Sequence, residues 1–158
     1  MLSSTIIWRE ITLKKESRFR LIKHLTFLEN ELKDYKTFET LSWKEYNDDR
    51  GKRRNVERWI ENIINSSIDI AKLILTSEDH PLPDTYKDVV KNLSLVSDFN
   101  EEGIEKLSRW VSLRNIISHE YLDIRWTSIQ KFISESKPFY KDFFKRVEKY
   151  LKKFPEEM

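Results

Sequence analysis

Val56-Glu57-Arg58-Trp59-Ile60-Glu61-Asn62-Ile63-Ile64-Asn65-Ser66-Ser67-Ile68-Asp69-Ile70-Ala71-Lys72-Leu73-Ile74 is the stretch whose reading decides the fold. Val56, Ile60, Ile63, Ile64, Ser67, Ala71 and Ile74 recur mostly in steps of three and four, which is one stripe along a helix. The helix around them is predicted over residues 42–76, because Ser42 followed by Glu45 is a capping-box signal. Gly51, beside Asp48, Asp49 and Arg50, marks a kink or break inside it. Upstream, Arg18, Leu21, Leu25, Leu28, Leu32 and Tyr35 draw a second stripe, so a helix is expected to begin near Ser4 or Trp8 and end near Phe38.

Downstream, His80-Pro81-Leu82-Pro83-Asp84 reads as a loop, with Asp84 capping a short helix that runs to about Leu95. Ser97-Asp98-Phe99-Asn100 is a further loop, and Asn100 caps a helix carrying Ile104, Leu107 and Val111. A last helix is predicted over residues 127–154, anchored by Ile129, Phe132, Phe143, Val147, Tyr150 and Leu151, and bent or split at Pro138. The sum is an all-α, up-and-down bundle of four to five helices with short connections.

Composition agrees. The 158 residues suit one domain, 1–158, in which 1–17 read as an N-terminal helical extension. Two glycines and four prolines are too few for the turns of a sheet protein. Without cysteine there is no disulfide, thiolate zinc site or thiol nucleophile. No apolar run approaches the roughly 18 residues of a membrane span, and the first residues lack the order of a signal peptide, so a cytoplasmic protein is expected. A net charge of +2 gives a weak overall field, so any nucleic acid must be held by a local patch.

One segment carries chemistry: Arg114-Asn115-Ile116-Ile117-Ser118-His119-Glu120-Tyr121. Arginine offers a fixed charge and planar donors for a phosphate. Histidine exchanges protons near neutral pH. Together they suit RNA cleavage without a metal or other cofactor: His119 moves a proton at the 2′-hydroxyl or the leaving oxygen, and Arg114 steadies charge on the phosphate oxygens. Asn115 supports, through the histidine or a phosphate. Arg-x4-His alone arises by chance in roughly one in ten chains of this length, but Arg-Asn-x3-His-x-Tyr is rarer by a factor on the order of a thousand. Five residues apart, Arg114 and His119 stand about 140° apart on an ideal helix. Either the helix loosens near His119, or two chains of a symmetric dimer combine their motifs in one cleft.

The segment resembles the R-x4-H-x-Y signature of HEPN proteins of the HepT group. Asn55-Val56-Glu57-Arg58-Trp59-Ile60 through Ile68-Asp69-Ile70-Ala71, then Pro83-Asp84-Thr85-Tyr86 and the stretch from Leu107 to Asp123, are similar to that group in the expected order. The likeness spans roughly Arg18 to Leu151; the N-terminal extension and the run from Asp48 to Asn55 depart from it. It implies a helical homodimer and a ribonuclease toxin acting on tRNA or mRNA. It also implies a minimal nucleotidyltransferase antitoxin, MntA-like, that silences the toxin by transferring AMP to the motif tyrosine, here Tyr121. The alternative is a non-catalytic docking subunit of a nucleotidyltransferase.

Other features weigh less. Lys52, Arg53 and Arg54, with Arg50 and Arg58, could hold an RNA backbone, but a solvated helix face neutralised by Asp48, Asp49 and Glu57 is the favoured reading. His24 and His80 have no ligand spacing, so no metal site is expected there. The Trp and Phe positions read as core or interface.

Overall fold

A computed structural model describes residues 13–154. All regular structure among these residues is helical: α1 (Lys15–Leu32), α2 (Tyr35–Phe38), α3 (Trp43–Asp48), α4 (Arg50–Ser77), α5 (Tyr86–Lys91), a 3-10 turn (Asn92–Leu95), α6 (Glu101–Trp110), α7 (Leu113–His119), α8 (Leu122–Glu135) and α9 (Lys137–Lys152). The bundle rests on the long members α1, α4, α6, α8 and α9. Predicted starts at Ser4 or Trp8 lie outside the described residues; Leu13 and Lys14 are not helical.

The stripe quoted first is the spine of the core. Val56, Ile60, Ile63, Ile64, Ala71 and Ile74 are all fully buried, and Ser67 closes its place by donating to the Ile64 carbonyl at 2.7 Å. The α1 stripe, Leu21, Leu25, Leu28 and Leu32, is buried against it. Trp59 Nε1 donates to the Glu31 carbonyl near one end of this pair while His24 faces Asp69 further along, so α1 and α4 run antiparallel. Likewise Arg18 donates to the carbonyls of Leu151 and Phe154, while Tyr35 meets Ser136, which makes α9 antiparallel to α1. Phe132 sits at the hub, with Trp59 and Trp110 edge-on at 5.8 and 5.4 Å and Tyr140 tilted at 5.8 Å. Such ring contacts add to burial by roughly 0.5–1.5 kcal/mol each.

Helix ends follow side-chain chemistry. Ser42 and Glu45 form the expected capping box. The break expected near Gly51 falls at Asp49, which is extended (φ −104°, ψ 102°) and caps α4 by accepting from the Lys52 amide at 3.1 Å. Gly51 lies inside the first turn of α4; the carboxylate, not glycine's freedom, sets the break. Asn100 caps α6 as expected, whereas α5 is capped by Thr85 rather than Asp84. Pro138 divides the last helix as anticipated. The division falls at buried Ser136, which leaves the proline in the first turn of α9, where its missing N–H is not needed. Asp79, past the end of α4, has φ 58°, the left-handed region where glycine is preferred. No helix among the described residues is long and apolar enough to cross a membrane.

Candidate functional site

The motif occupies α7 and the corner after it. A turn at Val111 and Ser112 separates α7 from α6, so the motif stands on a short helix of its own. Leu113 and Ile117, four apart, are buried and press α7 onto α4 and α8. The remaining side chains are distributed around the other faces. Asn115, Ser118 and His119 are exposed, and Arg114 is half-buried. Glu120 and Tyr121 are extended, and Tyr121 is 82% exposed.

The helix does not loosen at His119. The Glu120 amide donates to the Ile116 carbonyl at 3.0 Å, a regular helical bond that closes the last turn. Arg114 and His119 therefore keep their angular separation within one chain, whereas Asn115 and His119 share a face.

Arg114 is placed by tertiary packing. Its guanidinium lies over the Tyr86 ring, 5.1 Å from the centroid, and Lys72 of α4 lies over the same ring at 4.7 Å. The ring's negative faces attract both cations. Asn65, Asp69, Lys72, Tyr86 and Arg114 border a hollow of about 210 Å³. Adjoining it, and sharing Asn65 and Asp69, is a hollow of about 260 Å³ reached by His24 and Phe27 of α1. His24 Nδ1 is 3.9 Å from Asp69 Oδ2. None of Lys72, Tyr86, Asn65 or Asp69 was singled out as chemistry from the sequence. The hints were the places of Asp69 in Ile68-Asp69-Ile70-Ala71 and of Tyr86 in Pro83-Asp84-Thr85-Tyr86.

The corner after α7 is tethered. Arg125 Nε donates to the Glu120 carbonyl at 2.7 Å, and its Nη1 lies 3.3 Å from Glu57 Oε2 of α4. Glu57 also accepts a short hydrogen bond from the Tyr46 hydroxyl of α3. Burial, and then Glu57 as acceptor, push that hydroxyl well above the usual tyrosine range, so it stays a donor.

The basic run at the start of α4 is partly occupied. Lys52 pairs with Glu45 rather than with Asp48, Asp49 or Glu57, and Arg53 donates to the Asn47 carbonyl at 3.4 Å; Arg54 is exposed. Among the described residues no group of three or more His, Cys, Asp or Glu side chains could hold a metal ion.

A family model described as Ribonuclease HepT-like matches residues 28–147. No curated protein matches the sequence. Among solved structures, a tri-AMPylated HEPN toxin of Shewanella oneidensis in complex with MNT antitoxin superposes with a TM-score of 0.71 at 16% identity, over 82% of this chain and 96% of that one. A toxin–antitoxin crystal structure with AMP-PNP gives the same TM-score and identity, over 82% of this chain and 97% of that one. YutE, a cytosolic protein of unknown function from Bacillus subtilis, gives 0.72 at 19% identity, over 85% and 90%. At these identities the likeness is one of fold.

Proposed function

The chain belongs to the HepT-like family, and from that membership we propose that it is a toxin that cleaves RNA without a metal, as a homodimer restrained by a minimal nucleotidyltransferase antitoxin. The observation that carries the reading is the sorting of the motif in α7. Ile117, with Leu113 just before the motif, is buried and Ile116 half-buried, while His119 and Tyr121 are exposed and Arg114 borders an open hollow. Residues needed only for packing would not be held out in this way.

The chemistry follows from the residue types. The 2′-oxygen attacks the adjacent phosphorus, the bond to the 5′-oxygen breaks, and a cyclic 2′,3′-phosphate and a 5′-hydroxyl remain. The imidazole of His119 takes the 2′ proton, and the departing 5′-oxygen is protonated from water. Arg114 stabilises the charge on the non-bridging oxygens. Because α7 stays regular through His119, Arg114 and His119 of one chain point apart, which favours a cleft assembled from two copies. Asn115, on the face of His119, supports the histidine or a phosphate.

Tyr121 is the proposed acceptor of AMP. Its exposure leaves the hydroxyl accessible to a transferase, and added phosphates beside Arg114 would occupy the place of the substrate phosphate. The same exposure also fits the second reading, in which the protein is a non-catalytic docking and acceptor subunit.

Purified, unmodified protein should cut a pool of tRNA and mRNA in EDTA, and His119→Ala should not. Mixing Arg114→Ala with His119→Ala should recover activity, because mixed dimers contain one intact pairing. Equal cutting by His119→Ala would remove that residue from the mechanism, and failure to recover on mixing would refute the shared cleft. A folded parent that never cuts would favour the docking reading.

A further inference from the structure

On the other side of α7 from Arg114, a groove of about 500 Å³ opens between α6, α7 and α8. That volume suits a small organic ligand. Its walls combine two kinds of group. Trp110 and Phe139 supply aromatic surface, and Lys106, Arg109 and Lys131 supply positive charge. Glu135 is a carboxylate on the same lining. Arg109 shares its charge with Glu105 at 3.4 Å, but Lys106 and Lys131 are exposed, and no acid pairs with either within the ion-pair distances of the described residues. Lys106 instead lies over the Phe139 ring at 5.8 Å. The indole N–H of Trp110 is buried without an acceptor among the described residues.

We propose that this groove is a nucleotide site, in which a base lies against Trp110 and Phe139 and its phosphate is held by Lys106, Arg109 and Lys131. Flat aromatic walls take a base by stacking, and they do so for any base. Cations at the rim take the phosphate. Glu135 suits a base with an exocyclic amino group, so adenine and cytosine are preferred to uracil. Ile116 lines the groove one turn before His119, so a strand seated here leads toward the motif. The nucleotide is either free or part of an RNA strand; the recognition chemistry is the same. The site is lined by neither Arg114 nor His119 and stands whether or not the protein cleaves RNA.

Calorimetric titration of the unmodified full chain at low salt tests it, with AMP, UMP, adenosine, inorganic phosphate and an RNA hexamer as probes. AMP should bind about tenfold or more tightly than adenosine or phosphate alone, and more tightly than UMP. Lys106→Gln with Lys131→Gln, both at exposed positions, should weaken AMP about tenfold, while Arg114→Ala leaves it unchanged. Phe139→Leu, checked for folding by circular dichroism, should weaken both AMP and adenosine. Competition between hexamer and AMP would identify the occupant as a strand; AMP binding without hexamer binding would identify a free nucleotide. Absence of heat from AMP and hexamer at millimolar concentration would overturn the proposal. So would binding that is lost in Arg114→Ala and kept in the lysine double variant.

Discussion

Arg125→Met should loosen the corner that carries His119 and Tyr121. The guanidinium makes two contacts, to the Glu120 carbonyl at 2.7 Å and to Glu57 at 3.3 Å. The side chains of the ion pair are only 23% and 15% exposed, so water screens them less than a surface pair. Methionine keeps much of the apolar stem and removes every donor. A hydrogen bond from a charged donor contributes about 1.5–3 kcal/mol, and a partly exposed ion pair up to about 1 kcal/mol more. Hydration of the freed Glu120 carbonyl offsets part of this. The expected loss is about 2–3 kcal/mol, which for a chain of this size lowers Tm by roughly 4–12 °C. Urea unfolding followed by circular dichroism measures the first figure and a thermal melt the second. A double-mutant cycle with Glu57→Gln should return a coupling of roughly 0.5–3 kcal/mol. A variant within about 0.5 kcal/mol of the parent, the scale of an ordinary surface substitution, would show that the tether is decorative and refute the reasoning.

Tyr86→Leu should reduce RNA cleavage roughly two- to tenfold, the loss of one cation–π contact beneath Arg114, with little change in the urea midpoint; Tyr86→Phe should keep most of the activity, and equal losses in both would assign the effect to the hydroxyl. Asp79→Gly should stabilise the fold by about 0.5–1 kcal/mol in urea, because glycine adopts the φ of 58° without strain. Burial, reinforced by the charge of Asp34 and opposed by the Asn62 hydrogen bond, raises the Glu31 carboxyl above its ordinary 4.5. The folded chain thus holds that proton more tightly than the unfolded chain. The resulting stability is present below pH 4.5 and is lost as pH rises through the raised value. Glu31→Gln should accordingly raise the urea midpoint relative to the parent at pH 7.5 and leave it level at pH 3.5; a gain of equal size at both would contradict the assignment.

The bundle was legible because hydrophobic periodicity reports which faces are buried. Each Leu of the α1 stripe and the apolar members of the α4 and final stripes are buried where the spacing put them. The helix breaks near Gly51 and Pro138 were legible to within two residues, whereas the turn at Lys33 and Asp34, inside the helix expected to reach Phe38, and the start of α8 at Leu122 rather than 127 were not. Gly51 drew attention by its backbone freedom, but Asp49 held the carboxylate that could accept from the Lys52 amide. Asp84 and Thr85 are both competent caps, and nothing local ranks them. The motif could be read from residue types and rarity. Its setting could not, because Tyr86, Lys72 and Arg114 meet only when α4, α5 and α7 pack together. The tether from Tyr46 through Glu57 was hidden for the same reason: Arg125 of α8 lies 68 residues from Glu57 and reaches it only in the packed bundle.

The single extended residue between α3 and α4 bears on how this chain can change length over time. Were Asp49 helical and the two helices fused, Tyr46 and Glu57 would fall on nearly the same face of one rod but roughly 16 Å apart along its axis. Their hydroxyl and carboxylate touch only because the chain folds back at that point. Gain or loss of a residue there would therefore be felt at Arg125 and at the corner bearing His119, far downstream. The stretch from His80 to Asp84, ahead of the Thr85 cap that starts the helix bearing Tyr86, is where lineages can lengthen and shorten with less effect on the motif.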